Sequence, residues 1–279
     1  MNPVVLGLSW YIPALVIFLV ISVKMLDHDK RINYESLKKG LSEAPGNLIV
    51  LLLILLFIKL ENKLQDISSF GIDFTPVFYN LEGNKHIVFL QSLIHSSIFT
   101  NFISIFYLLF FMGILVAFPL YFILTGEKQL LRRYTYILAF SYAILVPSYL
   151  FFNVKVTSLY PENTPVKPLL YSNPIYLSLV MLVDRLDDCF PSGHISVPFS
   201  LLLLSFEMRH KRSFILTLKI LILTAFAILF LGIHWGIDII GGLLLGFLAY
   251  VFSKSRFTKP ISVFIDKVNS KIERFINTQ

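Results

Sequence analysis

The chain has 279 residues, of which 56% are hydrophobic and only 15% charged, against about 25% charged in an ordinary soluble domain. That balance excludes a soluble globular enzyme and points to a single integral membrane bundle. The formal charge of +7 is spread between apolar runs and builds no basic face, which argues against a nucleic-acid partner, and the single cysteine, Cys189, excludes an internal disulfide.

Run length predicts an all-α, polytopic transmembrane helix bundle with about seven membrane helices, at roughly 3–23, 43–60, 100–125, 132–152, 193–208, 213–233 and 237–253. The first run lacks a basic start and a small-residue cleavage site, so it reads as a retained helix. The second is short and carries Lys59. Residues 85–99 are apolar but broken by His86, Gln91 and His95, the pattern of an interfacial or re-entrant piece. Residues 153–190 read as a long polar loop with Pro161, Pro165, Pro168 and Pro174. After Pro260, residues Ile261, Phe264, Ile265, Val268, Ile272, Phe275 and Ile276 recur at helical spacing, with Lys267, Lys271 and Arg274 elsewhere on the turn. That pattern predicts a helix lying on a membrane surface. The expected organisation is therefore 1–99 as N-terminal helices with an outer segment, 100–254 as a catalytic bundle, and 255–279 as a basic amphipathic tail.

Lysines and arginines set the orientation. Lys24, Lys30, Arg31, Lys38, Lys39, Lys128, Arg132, Arg133, Arg209, Lys211 and Arg212, together with the tail, fall on one side. The opposite side holds only Lys59, Lys63, Lys85, Lys155, Lys167 and Arg185. The basic side is expected to be cytoplasmic, with the protein in the cell membrane.

Two clusters on the other, extracytoplasmic side carry chemistry. Pro191-Ser192-Gly193-His194 opens one apolar run, and His234-Trp235-Gly236-Ile237-Asp238 opens another. Titratable groups at such depth are costly unless they serve a site. A four-residue spacing puts His234 and Asp238 on one helical face, where the carboxylate can fix the imidazole tautomer and leave the other nitrogen free to attack. The plainer alternative is a His–Asp pair satisfying itself at a helix start. Ser192 is a good N-cap, Gly193 lets amides approach a ligand, and a helix terminus attracts phosphate. His194 then lies close enough to protonate a leaving oxygen. The plainer alternative here is a cap beside an incidental histidine. A metal centre is not expected, because zinc needs three or four suitably spaced ligands and nothing ties His86 or His95 to the pair. No cofactor is expected either.

Taken together, Phe190 to His194, His234 to Asp238 and the following Gly241-Gly242 resemble the second and third motifs of the type 2 phosphatidic acid phosphatase superfamily. The resemblance covers roughly residues 100–253. It implies that His234 attacks phosphorus to form a phosphohistidine, Asp238 orients it, His194 protonates the leaving group, and Ser192 and Gly193 hold phosphate oxygens. It further implies a lipid phosphate or phospholipid substrate drawn from the surrounding membrane lipids; the oligomeric state is left open.

The chain departs from that pattern in its cations. Where most such phosphatases carry a Ser-Arg pair before the nucleophile, this chain has Ala227 and Ile228, and the first motif is unmatched. Stabilising a transferring phosphoryl group needs positive charge, so Lys167 and Arg185 become the expected phosphate-binding cations. Arg185 pairing with Asp184, Asp187 or Asp188 is the competing reading. Loss of these arginines, the Leu186-Asp187-Asp188 lead-in and the basic 128–133 turn are similar to the branch of inositol phosphorylceramide and sphingomyelin synthases, whereas Gly193 is the phosphatase-type residue. Hydrolysis of a lipid phosphate or diphosphate is the first expectation and headgroup transfer to an alcohol the second. A transporter or non-catalytic membrane protein is the alternative of another class, although no paired repeat of broken helices supports transport.

Overall fold

In the computed structural model, which describes residues 2–26, 32–67, 71–163 and 165–277, the chain is an all-α bundle. Lys30 and Arg31, used above for orientation, lie outside the described residues, as does the side chain of Ile276. The helices are α1 (Pro3–Leu26), α2 (Tyr34–Ile67), α3 (Thr75–Glu82), α4 (Lys85–Ser92), α5 (Ser97–Leu124), α6 (Lys128–Phe151), α7 (Pro174–Val180), α8 (Gly193–Glu207), α9 (Lys211–Phe230), α10 (Gly236–Phe252) and α11 (Lys259–Asn277). Two two-residue strands, β1 (Ile72–Asp73) and β2 (Phe152–Asn153), pair in parallel.

Among the described residues, five helices (α1, α2, α5, α6 and α9) are long and apolar enough to cross a membrane. The other two expected spans are shorter: α8 has 15 residues and α10 has 17. At 1.5 Å rise per residue both fall short of a ~30 Å hydrocarbon core. The ends that carry the two clusters are tied to the loop before α8: Trp235 Nε1 donates to Lys155 O at 2.9 Å and Ser158 N to Gly232 O at 3.1 Å. The second helix exceeds expectation, running 34 residues with Pro45 inside it. Proline lacks the N–H a helix interior uses, and the disturbed turn is filled by α11, whose Asn269 Oδ1 accepts from Gly46 N at 2.8 Å.

The tail is helical as its periodicity predicts, but its apolar stripe packs in part on α2, where Ile265 lies against Gly46. The α10–α11 pair bends by 77° at the break, so α11 leaves the direction of the bundle. Ile265 on its inner face is fully buried, while Arg132 of α6 bonds Asp266 at 2.6 Å. Glu43 of α2, 5% exposed, is held by Arg132 and by Lys128 at 3.8 Å. A second lock at this end joins Arg133 to Glu207 at 2.8 Å, with Lys254 and Tyr250 on the same carboxylate. The basic residues thus gather at one end of the bundle. The C-terminal end of α6 and the start of α8 meet at the opposite end, where Tyr149 OH donates to Pro191 O at 3.0 Å.

The segment read as a re-entrant piece is α4 followed by the start of α5. The long polar loop holds two 3-10 turns and α7, which packs its buried Leu179 close to Gly7 of α1.

α8 and α10 pack backbone to backbone. A Cβ on Gly242 would stand 2.7 Å from Ser192 O and 2.8 Å from Ile195 Cβ, and one on Gly246 would stand 2.5 Å from Ser196 O. Small residues permit this approach where the solvent supplies no hydrophobic drive. Ser200 Oγ adds a hydrogen bond to Gly246 O at 2.8 Å. The consequence is positional: the start of α8 and the start of α10 are fixed against each other.

Candidate active site

The turn between α9 and α10 delivers His234. Gly232 takes φ +73°, the left-handed conformation that ends helices, and a Cβ there would meet Ser158 Cβ at 2.8 Å and Lys167 O at 2.9 Å. Ile233 N and His234 N both bond Ile228 O, at 2.9 and 3.1 Å. Helix α10 then begins, and its first amides are all taken. Trp235 N bonds Asp238 Oδ2 at 2.8 Å, and Gly236 N and Ile237 N bond the two carboxylate oxygens of Glu82 at 2.6 and 2.8 Å. An N-terminus normally leaves such donors without partners.

Asp238 Oδ2 also stands 3.0 Å from His234 Nδ1. With an ionised carboxylate there, Nδ1 carries the proton and Nε2 presents its lone pair. That nitrogen is 3.4 Å from Ser192 Oγ. Burial holds the His234 imidazole well below its ordinary pKa, which keeps it neutral. Asp238 is fully buried and its Oδ1 has no hydrogen-bond partner among the described residues.

Ser192 is the N-cap residue of α8, but its hydroxyl makes no capping bond. The expected cap role is replaced by the contact with His234, while Ser192 N is tied to Asp238 O at 3.2 Å. His194, in the first turn, packs between Tyr107 (ring centroids 4.9 Å apart) and Phe111 (4.2 Å), and its ring centre lies 5.6 Å from that of His234. Tyr107, Phe111 and Tyr149 shape this wall, and nothing in their sequence setting distinguished them from ordinary core aromatics.

Five of the expected site residues therefore meet at one point: Ser192, Gly193, His194, His234 and Asp238. The two cations do not join them by a direct contact. Arg185 bonds Asp66 at 2.5 Å and Asp187 at 3.2 Å. Lys167 lines an outer cavity of about 630 Å³ with Gln91, His95, Asn101 and Asn173. The positions of the missing Ser-Arg pair, Ala227 and Ile228, are fully buried in the core. Around Arg185 the loop is acidic. Burial pushes Asp184 up to about 7, and burial with the charges of Glu61 and Asp184 pushes Asp188 up to about 8.

Cys189, His234 and Asp238 also offer donor atoms within 4.8 Å of one another. Within this group His234 Nδ1 faces Asp238 Oδ2, and Cys189 Sγ donates to Ile233 O at 3.5 Å.

Both clusters, and the helices that carry them, fall inside one stretch with a recognisable pattern. Residues 130–260 match the model of the PAP2 superfamily. No curated protein and no solved structure matches the chain. The PAP2 match supports a phosphatase or phosphoesterase of that superfamily. It begins inside α6 and ends at the start of α11, so α1 to α5 lie outside the PAP2 segment.

Proposed function

We propose that this protein cleaves a lipid phosphate or lipid diphosphate at a membrane surface through a phosphohistidine. The observation that carries the reading is the buried His234 Nδ1–Asp238 Oδ2 contact of 3.0 Å, with Nε2 3.4 Å from Ser192 Oγ and the His194 ring centred 5.6 Å from that of His234. Nε2 attacks phosphorus and a nitrogen–phosphorus bond forms as the ester P–O bond breaks. The negative charge of a bound phosphate favours the protonated form of His194, which gives its proton to the departing oxygen. Asp238 offsets the positive charge that develops on the phosphorylated imidazole. His194, now neutral, takes a proton from an incoming water, whose oxygen attacks phosphorus and releases His234.

The free amides at the start of α8 and the Ser192 hydroxyl are assigned to the phosphate oxygens. We assign further positive charge to Arg185, the cation of the loop leading into Ser192. This requires exchange of Asp66 or Asp187 for a phosphate oxygen, a bidentate contact suited to a guanidinium. Lys167 is the second candidate.

Transfer to an alcohol in place of water is the second reading, favoured by the apolar Ala227 and Ile228 where phosphatases of this type carry a Ser-Arg pair. The deciding experiment incubates purified protein with radiolabelled lipid phosphates, quenches in alkali and maps the label. Label on His234 with release of inorganic phosphate supports hydrolysis. Label passed to an added alcohol supports transfer. An unlabelled chain with no product overturns both.

A further inference from the structure

The first turn of α10 is held by a residue that lies 154 positions away in sequence and outside the PAP2 segment. Glu82, the last residue of α3, places Oε1 2.6 Å from Gly236 N and Oε2 2.8 Å from Ile237 N. His86 Nε2 stands 2.8 Å from the same Oε1, and the Glu82 side chain is only 12% exposed. A carboxylate at a helix N-terminus is favoured by both the free amides and the helix dipole. Here it grips the two amides between Trp235 and Asp238, and so fixes the turn from which Asp238 reaches back to His234.

The rest of α3 points the same way. Tyr79 meets the Trp235 ring edge-on at 6.4 Å, and Phe78 meets Phe190 edge-on at 5.2 Å. One eight-residue helix therefore touches the lead-in to both clusters. It is itself anchored: Phe74 N bonds Asn153 O at 2.9 Å, Thr75 Oγ1 accepts from Lys155 N at 2.9 Å, and Lys155 Nζ pairs with Asp73 at 3.0 Å. Lys155 O in turn accepts from Trp235 Nε1 at 2.9 Å.

We propose that Glu82 is a positioning residue for the nucleophile: its bidentate hold on the Gly236 and Ile237 amides keeps the His234–Asp238 pair in reacting geometry. The assignment rests on His234 being the nucleophile. It gives the outer segment before α5 a role in catalysis without contact with substrate. Misplacing a reacting group by about 1 Å costs on the order of a hundredfold in rate.

The test compares Glu82→Ala and Glu82→Gln with the native protein in detergent. Three quantities are read: kcat and KM on a lipid phosphate, the folded fraction, and the downfield proton resonance of His234 Nδ1–H. Glu82→Ala is expected to lower kcat about tenfold to a hundredfold per folded molecule, with KM within about twofold. Its Nδ1–H resonance should shift or broaden. Glu82→Gln keeps one acceptor oxygen and is expected to recover part of the loss. A kcat per folded molecule equal to the native value overturns the proposal, as does a loss fully accounted for by unfolded protein. An unmoved Nδ1–H resonance in Glu82→Ala overturns it as well. The resonance needs no turnover. If the native protein proves inactive while the resonance still follows Glu82, the phosphohistidine reading fails and the positioning contact stands.

Discussion

At the scale of single residues, each proposed role can be measured by substitution. His234→Ala removes the attacking nitrogen, and turnover is expected to fall at least about a thousandfold with the protein still inserted and folded, because the ring fills a site and not the core. Asp238→Asn keeps the shape but cannot hold the Nδ1 proton in place, and a loss of similar order is expected; steady-state rates with a circular-dichroism control check both. Arg185→Gln is expected to lower kcat at least about tenfold, and Lys167→Gln less. Full turnover in both variants would remove these cations from the reaction. Asp188 carries a pH prediction. Its pKa is raised from 3.8 to about 8 by burial and by the charges of Glu61 and Asp184. The folded state therefore holds the proton more tightly than the unfolded chain. The stability this contributes is complete below about pH 4 and is lost as pH rises towards 8. Asp188→Asn should flatten the fall in thermal midpoint across that window, and an unchanged slope would show that another group titrates there.

At the scale of elements, the contact between α8 and α10 decides whether the two clusters meet. Gly242→Ala puts a methyl 2.7 Å from Ser192 O, which no backbone oxygen tolerates without movement. The expected cost is about 1–3 kcal/mol of stability. A disproportionate loss of kcat is expected with it, since the displaced atom belongs to the residue facing His234 Nε2. Thermal unfolding and initial rates on one preparation check this, and an alanine variant with native kcat would show that α8 need not sit where it does. The amphipathic tail was legible because Ile261, Phe264, Ile265 and Val268 recur at helical spacing. Its docking on α2 was not, because a hydrophobic stripe does not say whether lipid or another helix covers it. The same limit applies to the start of α2, read from the sequence at residue 43, where nothing local pointed to Asn269 as the partner of Gly46 beside Pro45.

At the scale of the whole molecule, the alternating helices leave the basic ends together and both clusters at the other end. The expected outcome is an active site facing away from the cytoplasm. Ser172, exposed in the outer loop, supplies the test. A cysteine there, in a Cys189→Ser background, should react with an impermeant thiol reagent added from outside intact cells. Labelling only after the membrane is opened would invert the orientation.

Sequence alone settled whatever depends on composition and on short spacing. Apolar runs set the bundle, and a spacing of four residues singled out the His234–Asp238 pair, although His234 lies in the turn before α10 and Asp238 reaches back to it from the first helical turn instead of sharing a helical face with it. Tertiary structure decided what depends on distant partners. Ser192 faces His234 instead of capping its helix, Tyr107 and Phe111 enclose His194, Arg185 is held by Asp66, and Glu82 caps α10. Each of these joins residues far apart in the chain, through hydrogen bonds and ring contacts that no local pattern encodes. They exist only once the bundle has closed.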